Sequence, residues 1–389
     1  MHIASWEDIL KGEVSDIYFE RSIEVIRKKN KDKYVVAEVK ASNLPKGYKF
    51  GVLAGVEELA ELLKTLNIKS FIMPEGSVFY EDEPVLLIEG NYSEFGIYET
   101  AILGLLCQAS GVITKAARSR IAAKNSTVLS FGARRMHPAL SLMIERCAYI
   151  GGLDGTSVKL AAKLLGLEPK GTMPHAFILV FQDYKEAFKA FDEVMPQNIP
   201  RIAIVDTLSD EKQEAIDAAS LLNHKLFGVR IDTPQSRRGN VRQIIEEVRW
   251  ELSLRGFKDV KIFLSGGIDE YRIAELQDIV DGFGIGTALS NAEVINFALD
   301  IVEVEGKPFA KRGKKSGKKQ VYKCLECKTR RVYPFRQEIN TCPACGSKNT
   351  FLPLLKPFTE KNKILQDLPN VHEIREYVLK QIEEEKLSL

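Results

Sequence analysis

Several things are scarce in this 389-residue chain, and each scarcity removes a class of protein. Charge of one sign is the first. Lys and Arg number 55 against 53 Asp and Glu, a formal net charge of +2, so the molecule as a whole is no polycation built for nucleic acid. Long apolar runs are missing too. The opening MHIASWEDILKGEVSDIYFE carries acids where a signal peptide needs an apolar stretch, and nothing approaches the roughly 18 apolar residues of a membrane helix. A soluble, cytoplasmic protein is expected, without a membrane partner. Pro and Gly are not enriched, and no repeat recurs at a fixed period. With 45% hydrophobic and 28% charged residues, the composition is that of a globular chain long enough for two or three domains.

Cysteine is also sparse, six in all, and its placement is informative. Cys107 and Cys147 stand apart in apolar, helix-like surroundings, while Cys324, Cys327, Cys342 and Cys345 form two C-x-x-C pairs separated by 14 residues. A disulfide framework would scatter cysteines through a short secreted chain, so metal ligation is the better reading. Each C-x-x-C turn brings two thiolates together, Gly346 lets the second knuckle turn freely, and two knuckles make the tetrahedral sulfur cage that zinc favours. Four thiolates leave no open coordination position, so a zinc here is expected to fold a small ribbon and not to catalyse.

The remaining pattern is an alternation. Thr127–Ser130, Ala176–Phe181, Arg201–Val205, Leu226–Ile231, Lys261–Leu264 and Asp281–Ile285 are short apolar runs, with helical stretches such as Glu211–Leu222 and Val241–Leu254 between them. Short buried strands alternating with helices predict a parallel sheet, and so many units favour a barrel. Before them, Tyr34–Val39 and Glu83–Glu89 read as strands, Val56–Leu66 as a helix, and Thr100 to about Ala123 as another. The expected organisation is a mixed domain over 1–108, an α/β barrel over 109–300, a basic linker over 301–320, the zinc ribbon over 321–355 and a C-terminal segment, 356–389, holding a docking helix over Asn370–Leu387. The Lys307–Gln320 stretch has seven Lys or Arg and no acid.

Chemistry in a parallel barrel belongs at the C-terminal strand ends. One strand ends in Ser265-Gly266-Gly267, and the next carries Gly284 and Gly286 before Thr287, where a helix start would point at an anion. Two consecutive glycine-bearing strand ends predict a phosphate site. Asp206 and Asp232 follow other strands and suit a ribose hydroxyl or Mg²⁺, while Arg134 and Arg135 follow Phe131-Gly132 and suit pyrophosphate or a carboxylate.

Taken in order, Tyr18-Phe19-Glu20-Arg21, Phe131 to Arg135, Gly151 to Ser157, Gly171 to Ala176, Val205-Asp206-Thr207, Val229 to Asp232, Ser265 to Ile268 and Gly284 to Thr287 resemble the nicotinate phosphoribosyltransferases of the type II phosphoribosyltransferase fold. The resemblance implies an irregular α/β barrel, an N-terminal α/β sandwich completed by residues after the barrel, and a homodimer or higher oligomer with shared active sites. It implies Tyr18 over the pyridine ring and Arg21 at a phosphate across the interface, with Ser316 and Lys318 as a further borrowed phosphate contact. The implied substrates are nicotinate and phosphoribosyl pyrophosphate with Mg²⁺. The nicotinate nitrogen displaces pyrophosphate at the anomeric carbon through an oxocarbenium-like transition state, so positioning and charge stabilisation should dominate.

By the same resemblance Arg135, Asp206 and Asp232 orient pyrophosphate, ribose and Mg²⁺, and Gly267, Gly286 and Thr287 cradle the 5′-phosphate. Arg134 or the Thr156-Ser157 pair meets the nicotinate carboxylate, and Asp154 is a residue that a nicotinamide site could use. His175 aligns with a histidine that some relatives phosphorylate from ATP; holding a substrate hydroxyl is the simpler role. A quinolinate enzyme shares the Ser-Gly-Gly-Ile strand end but needs a denser basic cluster around its base. A barrel binding flavin or a sugar phosphate, or a nucleic-acid-binding ribbon, fits fewer of these residues.

Overall fold

The computed structural model describes residues 2–234, 236–237 and 239–385. It divides into two compact units, one formed by residues up to 114 together with those from 293 onward, the other by 115–292. The fold is mixed α/β.

In the first unit a seven-stranded sheet runs in the order Lys307–Pro308, Phe297–Val304, Tyr34–Ala41, Pro84–Asn91, Lys69–Ile72, Lys356–Glu360 and Lys363–Ile364. Each neighbouring pair is antiparallel, and strands from both ends of the chain interleave in one sheet. The helix Val56–Leu63 buries Val56, Leu59, Ala60, Leu62 and Leu63 in this unit's core, ending one turn before the expected Leu66. Gly55 opens it at φ +87, and a Cβ there would lie 2.3 Å from the Leu105 carbonyl oxygen, so only glycine fits. Residues 301–304, expected in a linker, instead finish the strand Phe297–Val304. Two short strands precede the C-terminal helix, which spans Val371–Ile382 and buries Ile374, Val378 and Ile382; the expected end at Leu387 lies outside the described residues.

The segment Tyr92–Ala123 is long and apolar enough, by length and composition, to cross a membrane. Its long helix, Glu99–Ala123, has Ile102, Leu106, Val112 and Ile113 fully shielded from solvent, which accounts for the hydropathy by core packing.

In the second unit six parallel strands form a half-barrel sheet in the order Gly155–Thr156, Thr127–Ser130, Gly282–Ile285, Lys261–Leu264, Leu226–Ile231, Arg201–Ile204. The helices Glu211–Leu222 and Val241–Leu254 lie between strands as expected, opened by side-chain caps from Asp210 and Asn240. Two differences from the sequence reading stand out. Gly155–Thr156 is a strand too short to show any periodicity. Ala176–Phe181, read as a strand, belongs instead to the helix His175–Phe181. That run is apolar but not core: Ile178 is buried while Val180 is 78% exposed. Phe177 meets Phe181 at 4.9 Å between ring centroids, an i,i+4 contact that only the helix allows.

Candidate active site at the C-terminal strand ends

Because the six strands are parallel, their C-terminal residues emerge on one side. Asp206 and Asp232, from neighbouring strands, meet there. Asp206 Oδ2 accepts the Asp232 backbone N–H at 2.6 Å and the Thr233 hydroxyl at 3.1 Å. His175, at the start of the helix that replaces the expected strand, brings Nδ1 to 3.0 Å from Thr207 Oγ1 and 3.7 Å from Asp206 Oδ1. That Oδ1 is buried with no hydrogen-bond partner among the described residues. Burial drives the Asp206 carboxyl above the usual range, against the pull of the Asp232 amide and His175. A buried carboxylate oxygen without a hydrogen bond is costly, and with His175 Nδ1 at 3.7 Å this one has capacity that a ligand could fill.

The turn beneath this cluster is tightly held. Glu214, fully buried in the first turns of Glu211–Leu222, accepts three successive backbone N–H groups: Thr207 at 3.2 Å, Leu208 at 2.7 Å and Ser209 at 2.6 Å. Glu211 Oε1 lies 2.5 Å from the Thr233 hydroxyl. Arg230, inside the strand before Asp232, contacts the Thr172 hydroxyl and reaches within 3.7 Å of Asp232. Burial lowers its pKa. Sequence reasoning gave no role to Glu214, Glu211, Thr233 or Arg230. Arg230 left the one usable signal, a charge inside an apolar strand.

Gly266 and Gly267 adopt φ +81 and +67, backbone that glycine alone tolerates easily, and with Asp232, Thr233 and Asp269 they line a cavity of about 810 Å³. Ser265 is buried at the base of that turn. At Gly284 a Cβ would lie 2.3 Å from the Phe131 ring, so packing by itself requires glycine there. Gly286 has open space by comparison, 3.6 Å from the nearest atom, and the helix it opens, Thr287–Ser290, is a single turn with little dipole to offer.

Arg134 and Arg135 are exposed in a short 3₁₀ turn after Phe131-Gly132. Ser157 is exposed and donates to the Ser130 carbonyl at 3.3 Å, whereas Thr156 is buried with its hydroxyl accepting from Val158 N at 3.0 Å. Asp154 has protein partners of its own. Its carboxylate accepts from Arg120 at 2.7 Å and Val128 N at 2.8 Å, a brace near the opposite end of the strands. Glu145, fully buried on the helix Ser141–Ile150, faces Thr156, Ser130 and the Ala133 amide, and burial raises its pKa.

Four expected residues belong to the first unit. Tyr18 is 57% exposed and Arg21 is exposed, both on the helix Ile17–Lys28. Ser316 is exposed, whereas Lys318 is half-buried. It pairs with Glu89 between the rings of Phe71 and Phe335, 3.9 and 3.5 Å from their centroids, and burial lowers its pKa.

The cysteines converge as expected. The four Sγ atoms all lie within 4.8 Å of one another, with Cys324–Cys345 at 3.7 Å and Cys327–Cys342 at 3.6 Å. Thiolates about 2.3 Å from a tetrahedral ion sit roughly 3.8 Å apart, so the group could hold a metal such as zinc. Burial pushes the Cys324 thiol up, but the amides of Cys327 and Glu326 and the Thr350 hydroxyl prevail and bring it down to about 6.

Comparison with known proteins agrees with this architecture. The family described as "Quinolinate phosphoribosyl transferase, N-terminal domain" matches residues 16–110, and its C-terminal domain matches 112–300. A nicotinate phosphoribosyltransferase of Mycobacterium tuberculosis is 34% identical over 266 residues, covering 65% of this chain and 56% of the relative. The nicotinate-nucleotide pyrophosphorylase of Pyrococcus furiosus, a crystal structure, is 53% identical with a TM-score of 0.96, covering 98% of both chains. The chain belongs to the family of type II phosphoribosyltransferases that these two domains define. Human nicotinic acid phosphoribosyltransferase, 19% identical with a TM-score of 0.78 over 95% of this chain and 93% of its own, shares the fold. The match spans little more than half the length of the mycobacterial phosphoribosyltransferase.

Proposed function

We propose that this phosphoribosyltransferase makes nicotinate mononucleotide and pyrophosphate from nicotinate and phosphoribosyl pyrophosphate, in pyridine nucleotide synthesis or salvage. The observation that carries the reading is the linked cluster of His175, Asp206 and Asp232 at neighbouring strand ends, beside the left-handed Gly266-Gly267 turn. Names given to the relatives, nicotinate phosphoribosyltransferase and nicotinate-nucleotide pyrophosphorylase, point to the same nucleotide and the same leaving group.

In this reading the Gly266-Gly267 turn, with Ser265, Gly286 and Thr287 nearby in the same unit, cradles the 5′-phosphate through backbone N–H groups. Asp206 and Asp232 hold the ribose side and are the residues that would hold a Mg²⁺, which when bound would supply charge neutralisation for departing pyrophosphate. Arg135 takes the pyrophosphate oxygens and Arg134 the nicotinate carboxylate, each as a bidentate donor. Displacement at the anomeric carbon needs little proton transfer, so the side chains act by orientation and electrostatics. Tyr18 and Arg21 serve a neighbouring subunit's site in a dimer. The cysteine cluster holds a structural zinc. The enzyme works in the cytoplasm, and ATP stimulates it through phosphoryl transfer to His175.

The test is to offer nicotinate, nicotinamide and quinolinate separately with phosphoribosyl pyrophosphate and Mg²⁺, following pyrophosphate and nucleotide. Turnover with nicotinate alone supports the reading. Preference for quinolinate, with carbon dioxide released, or for nicotinamide, reassigns the substrate; no turnover with any of them ends the transferase reading. If ATP neither labels His175 nor alters nucleotide yield, the ATP coupling fails by itself.

A further inference from the structure

Three consecutive backbone amides converging on one point are an anion-binding nest. At residues 207–209 the chain fills its nest from within, using the Glu214 carboxylate. Helix capping does not explain that arrangement. The helix Glu211–Leu222 already has its cap in Asp210, whose side chain accepts from Gln213 N at 2.9 Å. Glu214 therefore serves the turn, not the helix, and a fully buried carboxylate is a costly way to brace an ordinary loop. The turn is no ordinary loop. Its first residue, Thr207, sets the hydroxyl that meets His175 Nδ1, and it follows directly on Asp206.

We propose that Glu214 is a positioning residue of the active site: by filling the 207–209 nest it fixes the Thr207 hydroxyl against His175 and so sets the imidazole's orientation. The two oxygens have different duties. Leu208 and Ser209 N–H both reach Oε1, whereas Thr207 N–H alone reaches Oε2. Glu214→Gln keeps one oxygen for the first pair and turns an amide NH₂ toward Thr207 N–H, so it loosens the one residue that matters to His175. The consequence for turnover rests on the transferase reading above; the consequence for the imidazole does not.

The experiment uses the full chain labelled with ¹⁵N-histidine, recording His175 ring nitrogens by long-range ¹⁵N–¹H correlation in the parent, Glu214→Gln and Thr207→Val. His175→Asn assigns the signal. Both variants should move the His175 ring shifts toward those of a solvent-exposed imidazole exchanging between tautomers. Glu214→Gln should lower kcat about tenfold while leaving KM for nicotinate within about twofold, as expected of a misoriented group. If Glu214→Gln folds and neither ring shifts nor kcat change, the proposal is wrong. Should Glu214→Gln fail to fold, Thr207→Val decides: unaltered His175 shifts in that variant would sink the idea equally. If the parent makes no nucleotide from any pyridine, the transferase reading fails while the ring spectra still judge the positioning.

Discussion

Arg330 lays its guanidinium along the Glu83 carboxylate, Nε to Oε1 at 2.9 Å and Nη2 to Oε2 at 2.6 Å, with both side chains more than nine-tenths buried. The pair joins the cysteine module to the sheet of the first unit, since Arg330 opens one ribbon strand and Glu83 precedes Pro84–Asn91. Removing one member strands the other charge away from water. Arg330→Ala should cost about 3–5 kcal/mol of unfolding free energy, the scale for a broken buried pair. Urea titration against the parent protein measures it, and a loss below about 1 kcal/mol would mean that water reaches Glu83.

The cysteine cluster leads to a second expectation. The zinc proposed for the four cysteines should be lost in Cys342→Ser and Tm lowered by roughly 5 °C or more, because the ribbon has only a small core of Tyr322, Cys324, Cys342 and Phe351. Elemental analysis with differential scanning fluorimetry checks both parts. Retention of zinc by the variant would contradict the four-ligand assignment.

Gly267 offers a test of the phosphate cradle. At φ +67 an alanine costs about 1–2 kcal/mol in backbone strain, which shifts the turn proposed to hold the phosphate. Gly267→Ala should raise KM for phosphoribosyl pyrophosphate about tenfold, with KM for nicotinate little changed. Steady-state kinetics in both substrates separates the two.

Asp206→Asn keeps the size of the side chain and the acceptor for Asp232 N–H, but removes the charge. A fall in kcat of about a hundredfold is expected, the scale for losing one electrostatic contact in a transition state. Unchanged kcat would exclude Asp206 from the reaction.

Glu99 connects the fold to pH. Burial, reinforced by Asp300 and Asp16 and opposed by Lys311, raises its carboxyl from 4.5 to about 7. The folded state thus prefers the protonated form. Its contribution to stability is complete below pH 4.5 and is lost as pH rises through about 7. Glu99→Gln, which cannot ionise, should therefore gain Tm relative to the parent as pH goes from 5 to 8. The effect should be modest, since the group keeps part of its surface in water. Thermal melts across that range would contradict the assignment if the difference stayed constant.

Where the sequence was legible, one signal dominated locally. Leu226–Ile231 and Lys261–Leu264 are apolar runs whose burial decides their state, and Glu211–Leu222 carries its own cap, so their bounds agree with the structure to the residue. The cysteines were legible because metal geometry dictates their spacing. Ala176–Phe181 misled because a short apolar run satisfies either period, and the aromatic pairing that chose the helix is invisible to a hydropathy pattern. Asp154 is hard to read for another reason: a carboxylate near a glycine turn is the same letter whether it meets substrate or Arg120. Glu214 was hidden because its partners are backbone amides, which have no sequence signature.

The strand Lys319–Cys324 belongs to two interiors at once. Val321 lies in the core of the first unit and Lys319 reaches Glu38 at 2.8 Å, while Tyr322 and Cys324 face the ribbon's own cluster. Alternate residues of a strand point to opposite sides, so a single inserted or deleted residue here would exchange the two sets wholesale. The ribbon is thus no detachable cassette. The cysteines could be exchanged for apolar side chains that refill the cage in place, but cutting the module out would tear a seam from the sheet to which it is sewn.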